Sequence, residues 1–170
     1  DAKIVPSVGS DDTQVTFGTP AISSTGSFSV QVNIAEVGAY EVTLDATATG
    51  YNPSTTTCIV ERPPTEKSSV FLKKCTSLEK KYDDIKGGTV ATGNFQGTGK
   101  ITEIISTSPY TIFKVQLNGT DKEVVCVNRS TKSTINSSKV GQKKQIMGSL
   151  TGTYEETGLP SVWVWYILNK

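Results

Sequence analysis

The 170-residue chain contains no histidine. That removes the commonest general base, the serine–histidine triads and most zinc sites in one step. Its three cysteines, Cys58, Cys75 and Cys126, are widely spaced with no CxxC pair, so metal binding is not expected. No apolar run reaches the length of a membrane-spanning helix. Charged side chains make up 19% of the residues and nearly cancel, at +1, which is far from the basic balance of a nucleic-acid-binding domain. No signal-like segment opens the sequence, and Asp1 stands where an initiator methionine would. The chain therefore reads as a mature or truncated piece of something longer.

What is present is serine, threonine and short alternating apolar segments, a composition typical of extracytoplasmic β-rich modules. The small net charge hides an asymmetry. Residues 1–64 carry two basic and seven acidic side chains, whereas residues 88–170 carry nine basic and five acidic. Two domains are the expectation: 1–64, a β-sandwich; 65–76, a linker stiffened by Pro63 and Pro64 at its mouth; and 77–170, a small β-barrel with a leading helix. The predicted fold class is all-β.

In the first half, GSFSVQVNI puts Phe28, Val30, Val32 and Ile34 on one face, the period of a half-buried strand. AYEVTLDATA follows with Tyr40, Val42, Leu44 and Ala46 inward, Tyr51-Asn52-Pro53 marks a turn, and TTTCIVER closes the set. AKIVPSV and TQVTFG are shorter candidates, and Pro6 confines the first of them to an edge. GSFSVQVNI and GAYEVTLDATATGYNPSTTTCIVERPP, residues 26–64, resemble the Ig-like domains of bacterial surface proteins, of the type found in glucodextranase domain B. The resemblance implies a spacer or accessory module and brings no catalytic residues with it.

In the second half, Ser77 is an acceptable N-cap for a helix to Ile85, with Gly87-Gly88 as its stop. Leu78, Tyr82 and Ile85 form one apolar stripe that would seat on a barrel; a solvated charged connector is the alternative. Then come GKITEII, beginning the first barrel strand, and TIFKVQL with Phe113, Val115 and Leu117 on one face. An Asn118-Gly119 hairpin turn, KEVVCVN, and a polar loop RSTKSTINSS without hydrophobic anchors follow. KKQIMGSLTGTY, whose Gly148 and Gly152 suit bulges, and SVWVWYIL close the set. FLKKC, LEKKYDDI, GTGKITEI, VGQKKQIMG with GTY, and LPSVWVWYI, residues 71–167, resemble bacterial extracytoplasmic OB-fold proteins likened to tRNA anticodon-binding barrels. The resemblance implies a five-stranded OB-like barrel and an extracellular or cell-envelope location. The extra residues in ATGNFQGTG depart from its tight Gly-Lys-Lys run.

The candidate site is the closing strand. Alternation places Val162, Val164 and Tyr166 in the barrel and turns Trp163 and Trp165 outward. Two such rings are either a stacking platform, with Tyr110 or Tyr154 nearby, or are packed against the helix or the first domain. Lys143 and Lys144, with Arg129, Lys132 and Lys139, would add a basic patch that, with stacking aromatics, suits a single nucleic-acid strand, the less favoured ligand; an oligosaccharide on the indoles is the other. Cys75 and Cys126 are the disulfide candidates, three separate thiols being the other reading. The carboxylate pairs Asp11-Asp12 and Glu155-Glu156 lack ligand spacing, and the sequons at Asn118, Asn128 and Asn136 matter only in a glycosylating host. No catalytic residue, cofactor or metal is expected. The expectation is a non-enzymatic structural, adaptor or binding module of a secreted or surface-attached bacterial protein, with an unidentified protein or cell-envelope partner. The alternative is an OB-type ligand-binding domain.

Overall fold

A computed structural model describes residues 2–8 and 14–170; the pair Asp11-Asp12 lies outside them. The chain is predominantly β and divides into two units, residues 1–62 and 63–170. No helix among the described residues is long and apolar enough to cross a membrane.

Among its described residues, the first unit is a small sandwich built from three sheets. Strands β1 (Ala2–Val8), β6 (Gly38–Ala48) and β7 (Ser54–Arg62) form an antiparallel sheet in the order β1-β6-β7. Strand β2 (Val15–Phe17) pairs with β5 (Val32–Ile34), and β3 (Ala21–Ile22) with β4 (Phe28–Ser29). Pro6 does lie on an edge strand, the place in a sheet where a missing N–H is tolerated. GSFSVQVNI is not one strand. It breaks into β4 and β5 because its two ends pair with different partners, and Phe28 is left exposed. Among the described residues of this unit, the buried apolar side chains are Val15, Ala39, Tyr40 and Val42.

The second unit is a closed, OB-like five-stranded barrel. Its strands are β9 (Asn94–Ser106), β10 (Ile112–Leu117), β11 (Glu123–Asn128), β12 (Lys143–Tyr154) and β13 (Leu159–Asn169). The cyclic order is β9-β10-β11-β13-β12-β9, with β11 and β13 parallel and the other pairs antiparallel. Strand β9 starts at Asn94, so NFQGT extends it instead of preceding it. Its first half pairs with β12 and its second with β10. Phe113, Val115, Leu117, Val124, Cys126, Ile146, Val162 and Val164 fill the interior.

Helix α2 (Leu78–Lys86; α1 is the single turn Ser68–Phe71) belongs to that core. Ser77 accepts from the Lys80 amide at 3.3 Å, and Leu78, Tyr82 and Ile85 join the barrel cluster. The stripe is therefore packed. Burying each such side chain stabilises by roughly 1.5–3 kcal/mol. Ile135 also joins this cluster, which corrects the reading of 129–138 as a loop without an anchor. One apolar residue in a polar run gives no period to read.

Residues 65–76 are not a linker. Phe71 is fully buried, Thr76–Ser77 (β8) pair in parallel with Phe95–Gln96, and Lys74 bonds Glu66 at 2.7 Å. The disulfide candidates are separate thiols as well. Cys126 lies inside the barrel, and Cys75 Sγ donates to the Phe71 carbonyl at 3.4 Å. Burial raises the Cys75 thiol to about 11 and pushes Cys126 up further, whereas Cys58 is exposed on β7. The thiolate is the reacting species. With a chromogenic disulfide reagent at pH 8, one thiol (Cys58) is expected to react promptly and Cys75 slowly. Cys126 should react only in denaturant. Cys58→Ser should remove the prompt phase.

Candidate functional site: an aromatic and arginine surface

Strand β13 does not keep a strict period of two. Met147 opposes Tyr166 but Gly148 opposes Val164, so Trp165 is an extra, bulged residue. The bulge separates the two indoles. Trp163 stays on the outer face, half-buried. Trp165 is 6% exposed, and its Nε1 donates to Ser149 Oγ at 2.8 Å, Ser149 being held in turn by Asn94. Trp165 is therefore a structural residue, not half of a platform.

The same bulge shifts the phase beyond it. Ile167, not Tyr166, enters the barrel cluster. Tyr166 turns outward, packs on Phe71 with ring centroids 5.6 Å apart, and donates its hydroxyl to the Glu66 carbonyl. Burial and the neighbouring Glu66 raise its phenol above the ordinary value.

Trp163 has other company. Tyr110, in the β9–β10 loop, lies 6.4 Å from it centroid to centroid at 53°, and 42% of Tyr110 is exposed. The Arg129 guanidinium sits 4.1 Å from the Tyr110 ring centroid and 5.1 Å from that of Trp163. Register explains the meeting. Trp163 opposes Val127 near the end of β11, the Asn128 amide donates to the Thr111 carbonyl, and the Arg129 amide donates to the Val164 carbonyl. Each cation–π contact is worth about 0.5–1 kcal/mol where exposed and more when desolvated. Asn128 steadies the loop behind Arg129 by accepting from Ser130 N at 3.0 Å and donating to Ser133 O at 2.8 Å. Farther out on β9 and β10, Glu103 bonds Lys114 at 2.7 Å and holds its ammonium above the usual value.

The remaining candidates do not gather here. Lys143 is exposed at the start of β12. Trp163 opposes Ser149, six residues farther along that strand, or about 20 Å at 3.3 Å per residue. Lys144 is buried at the same end as Lys143, with Nζ on Asn169 Oδ1 at 2.6 Å. A basic patch beside the indoles thus fails, because both lysines lie at the far end of β12 and only Arg129 of the five reaches a ring of this surface. Tyr154 ends β12 beside the hairpin turn that carries the exposed pair Glu155 and Glu156, and Lys132 is exposed in the β11–β12 loop. The site consists of Tyr110, Arg129 and Trp163. Arg129 was legible only as one charge among five, since nothing in its spacing places it against two rings. No family model, curated protein or solved structure matches the chain.

Proposed function

We propose that this chain is a non-enzymatic adaptor or binding module of a secreted or surface-attached bacterial protein, and that Tyr110, Arg129 and Trp163 form its contact surface. The observation that carries this is a guanidinium in contact with two neighbouring aromatic rings, one of them 42% exposed. Aromatic rings and arginine are the side chains that dominate protein contact surfaces, because they bury large areas at low entropic cost. They supply stacking, charge and hydrogen bonds. The bacterial, envelope-facing setting rests on the sequence resemblances of residues 26–64 and 71–167.

A second reading is favoured by the tilted ring pair: an OB-type domain that stacks a sugar ring, or a base of a single strand, on Trp163. With Trp165 internal, one outward, half-buried indole remains, which suits a short saccharide better than a run of stacked bases.

Indole emission tests both. Trp165 serves as an internal reference because it is buried. A panel of glycans, oligonucleotides and envelope extracts should contain a species that changes Trp163 emission. Trp163→Ala is expected to abolish that change and weaken binding by roughly tenfold or more, the ~1–3 kcal/mol of a lost stacking contact. Its near-UV circular dichroism should retain the Trp165 signal. Binding that survives both Trp163→Ala and Tyr110→Ala unaltered would sink the assignment.

A further inference from the structure

A second place on the barrel, remote from the aromatic surface and independent of it, is built for a ligand. Between the β10–β11 hairpin and the start of β12 lies an open cleft of about 620 Å³, within the range of small-molecule sites. Its floor is a row set by strand register. Gln116 on β10 opposes Lys100 on β9, and Lys100 opposes Lys143 on β12. Residues directly opposite on antiparallel strands bring their Cβ atoms to about 4.5–5.5 Å, and like charges placed so repel. Among the described residues neither ammonium is in an ion pair, although four other lysines are. The hairpin wall supplies Asn118, Thr120 and the exposed carboxylate of Asp121.

We infer that this cleft binds an acidic saccharide, with a uronic-acid-type carboxylate bridging Lys100 and Lys143. Two adjacent unpaired ammonium groups match one anionic group placed between them, which also relieves their repulsion. The carboxylate of Asp121 and the amide oxygens of Gln116 and Asn118 need hydroxyl donors. A sugar ring presents several, whereas a phosphodiester backbone presents few or none. No aromatic ring lines the cleft, so bases have nothing to stack on.

The test is calorimetric titration of the whole chain with tri-galacturonate, a neutral cellotriose, sodium sulfate and a twelve-residue oligothymidylate, at low and moderate salt. Saturable binding of tri-galacturonate, at least tenfold tighter than cellotriose or sulfate and weakened by salt, is expected. Lys100→Gln and Lys143→Gln should each weaken it at least tenfold while leaving the thermal midpoint unchanged or higher, since each removes the like-charge pair. Trp163→Ala should leave it unchanged, which separates this site from the aromatic one. No saturable uronate binding, equal binding of cellotriose or sulfate, tighter binding of oligothymidylate, or lysine variants that bind like the parent would each overturn the inference.

Discussion

Gly148→Ala is expected to cost the barrel unit about 4 kcal/mol or more, the range reserved for gross steric or cavity faults. A β-carbon at Gly148 would run into the carbonyl oxygen of Trp163, would lie 2.8 Å from its carbonyl carbon, and would lie 2.9 Å from Val162 Cγ1. The obstacle is backbone, so no rotamer change relieves it. The two strands must part at the place where Trp165 bulges, and the Trp165–Ser149 hydrogen bond sits one residue away. Total stability of a domain is about 5–15 kcal/mol, so much of it goes at once. Urea unfolding followed by tryptophan emission checks this. A control comes from Gly119, at φ 71° with nothing within 4 Å of a built β-carbon. Gly119→Ala meets only the left-handed backbone penalty of about 1–2 kcal/mol. Similar losses in the two variants would mean that β12 and β13 are not as closely apposed as the register requires.

Which parts of this were legible beforehand follows from what period counting can see. Alternation in TIFKVQL put Phe113, Val115 and Leu117 inside, and all three are fully buried. The Asn118-Gly119 turn joins β10 to β11, with Thr120 N donating to Leu117 O. The helix stripe Leu78, Tyr82, Ile85 was readable because a nine-residue helix spans more than two turns. An inserted residue is different. Counting by twos across SVWVWYIL carries the phase through Trp165, so one bulge misplaces Tyr166 and pairs two indoles that point apart. The row Gln116, Lys100, Lys143 was beyond reach for another reason: it exists only once three strands are in register. In the first unit, GSFSVQVNI has a clean period, yet its ends pair with different short strands, and periodicity says nothing about partners.

The segment before the barrel gives the second large effect. Phe71→Ala is expected to destabilise the second unit by about 3–5 kcal/mol, the usual cost of emptying a fully buried aromatic site. As a linker, residues 65–76 would tolerate this change, because a tether has no interior. The structure instead ties the segment down at successive points. Phe71 lies against the Tyr166 ring, the Tyr166 hydroxyl bonds the Glu66 carbonyl, Cys75 Sγ bonds the Phe71 carbonyl, and Thr76–Ser77 pair with β9. Phe71 anchors this strap, and α2 follows directly after it, so loosening the anchor also weakens the entry to the helix that plugs the barrel. Tyr166→Phe keeps the ring and removes only the hydroxyl, with an expected loss of about 1 kcal/mol. Chemical denaturation should therefore show a large fall in midpoint for Phe71→Ala at an unchanged slope, and a small one for Tyr166→Phe. A midpoint for Phe71→Ala equal to that of the parent would return residues 65–76 to a tether, and with it would go the packing that turns Tyr166 out of the barrel.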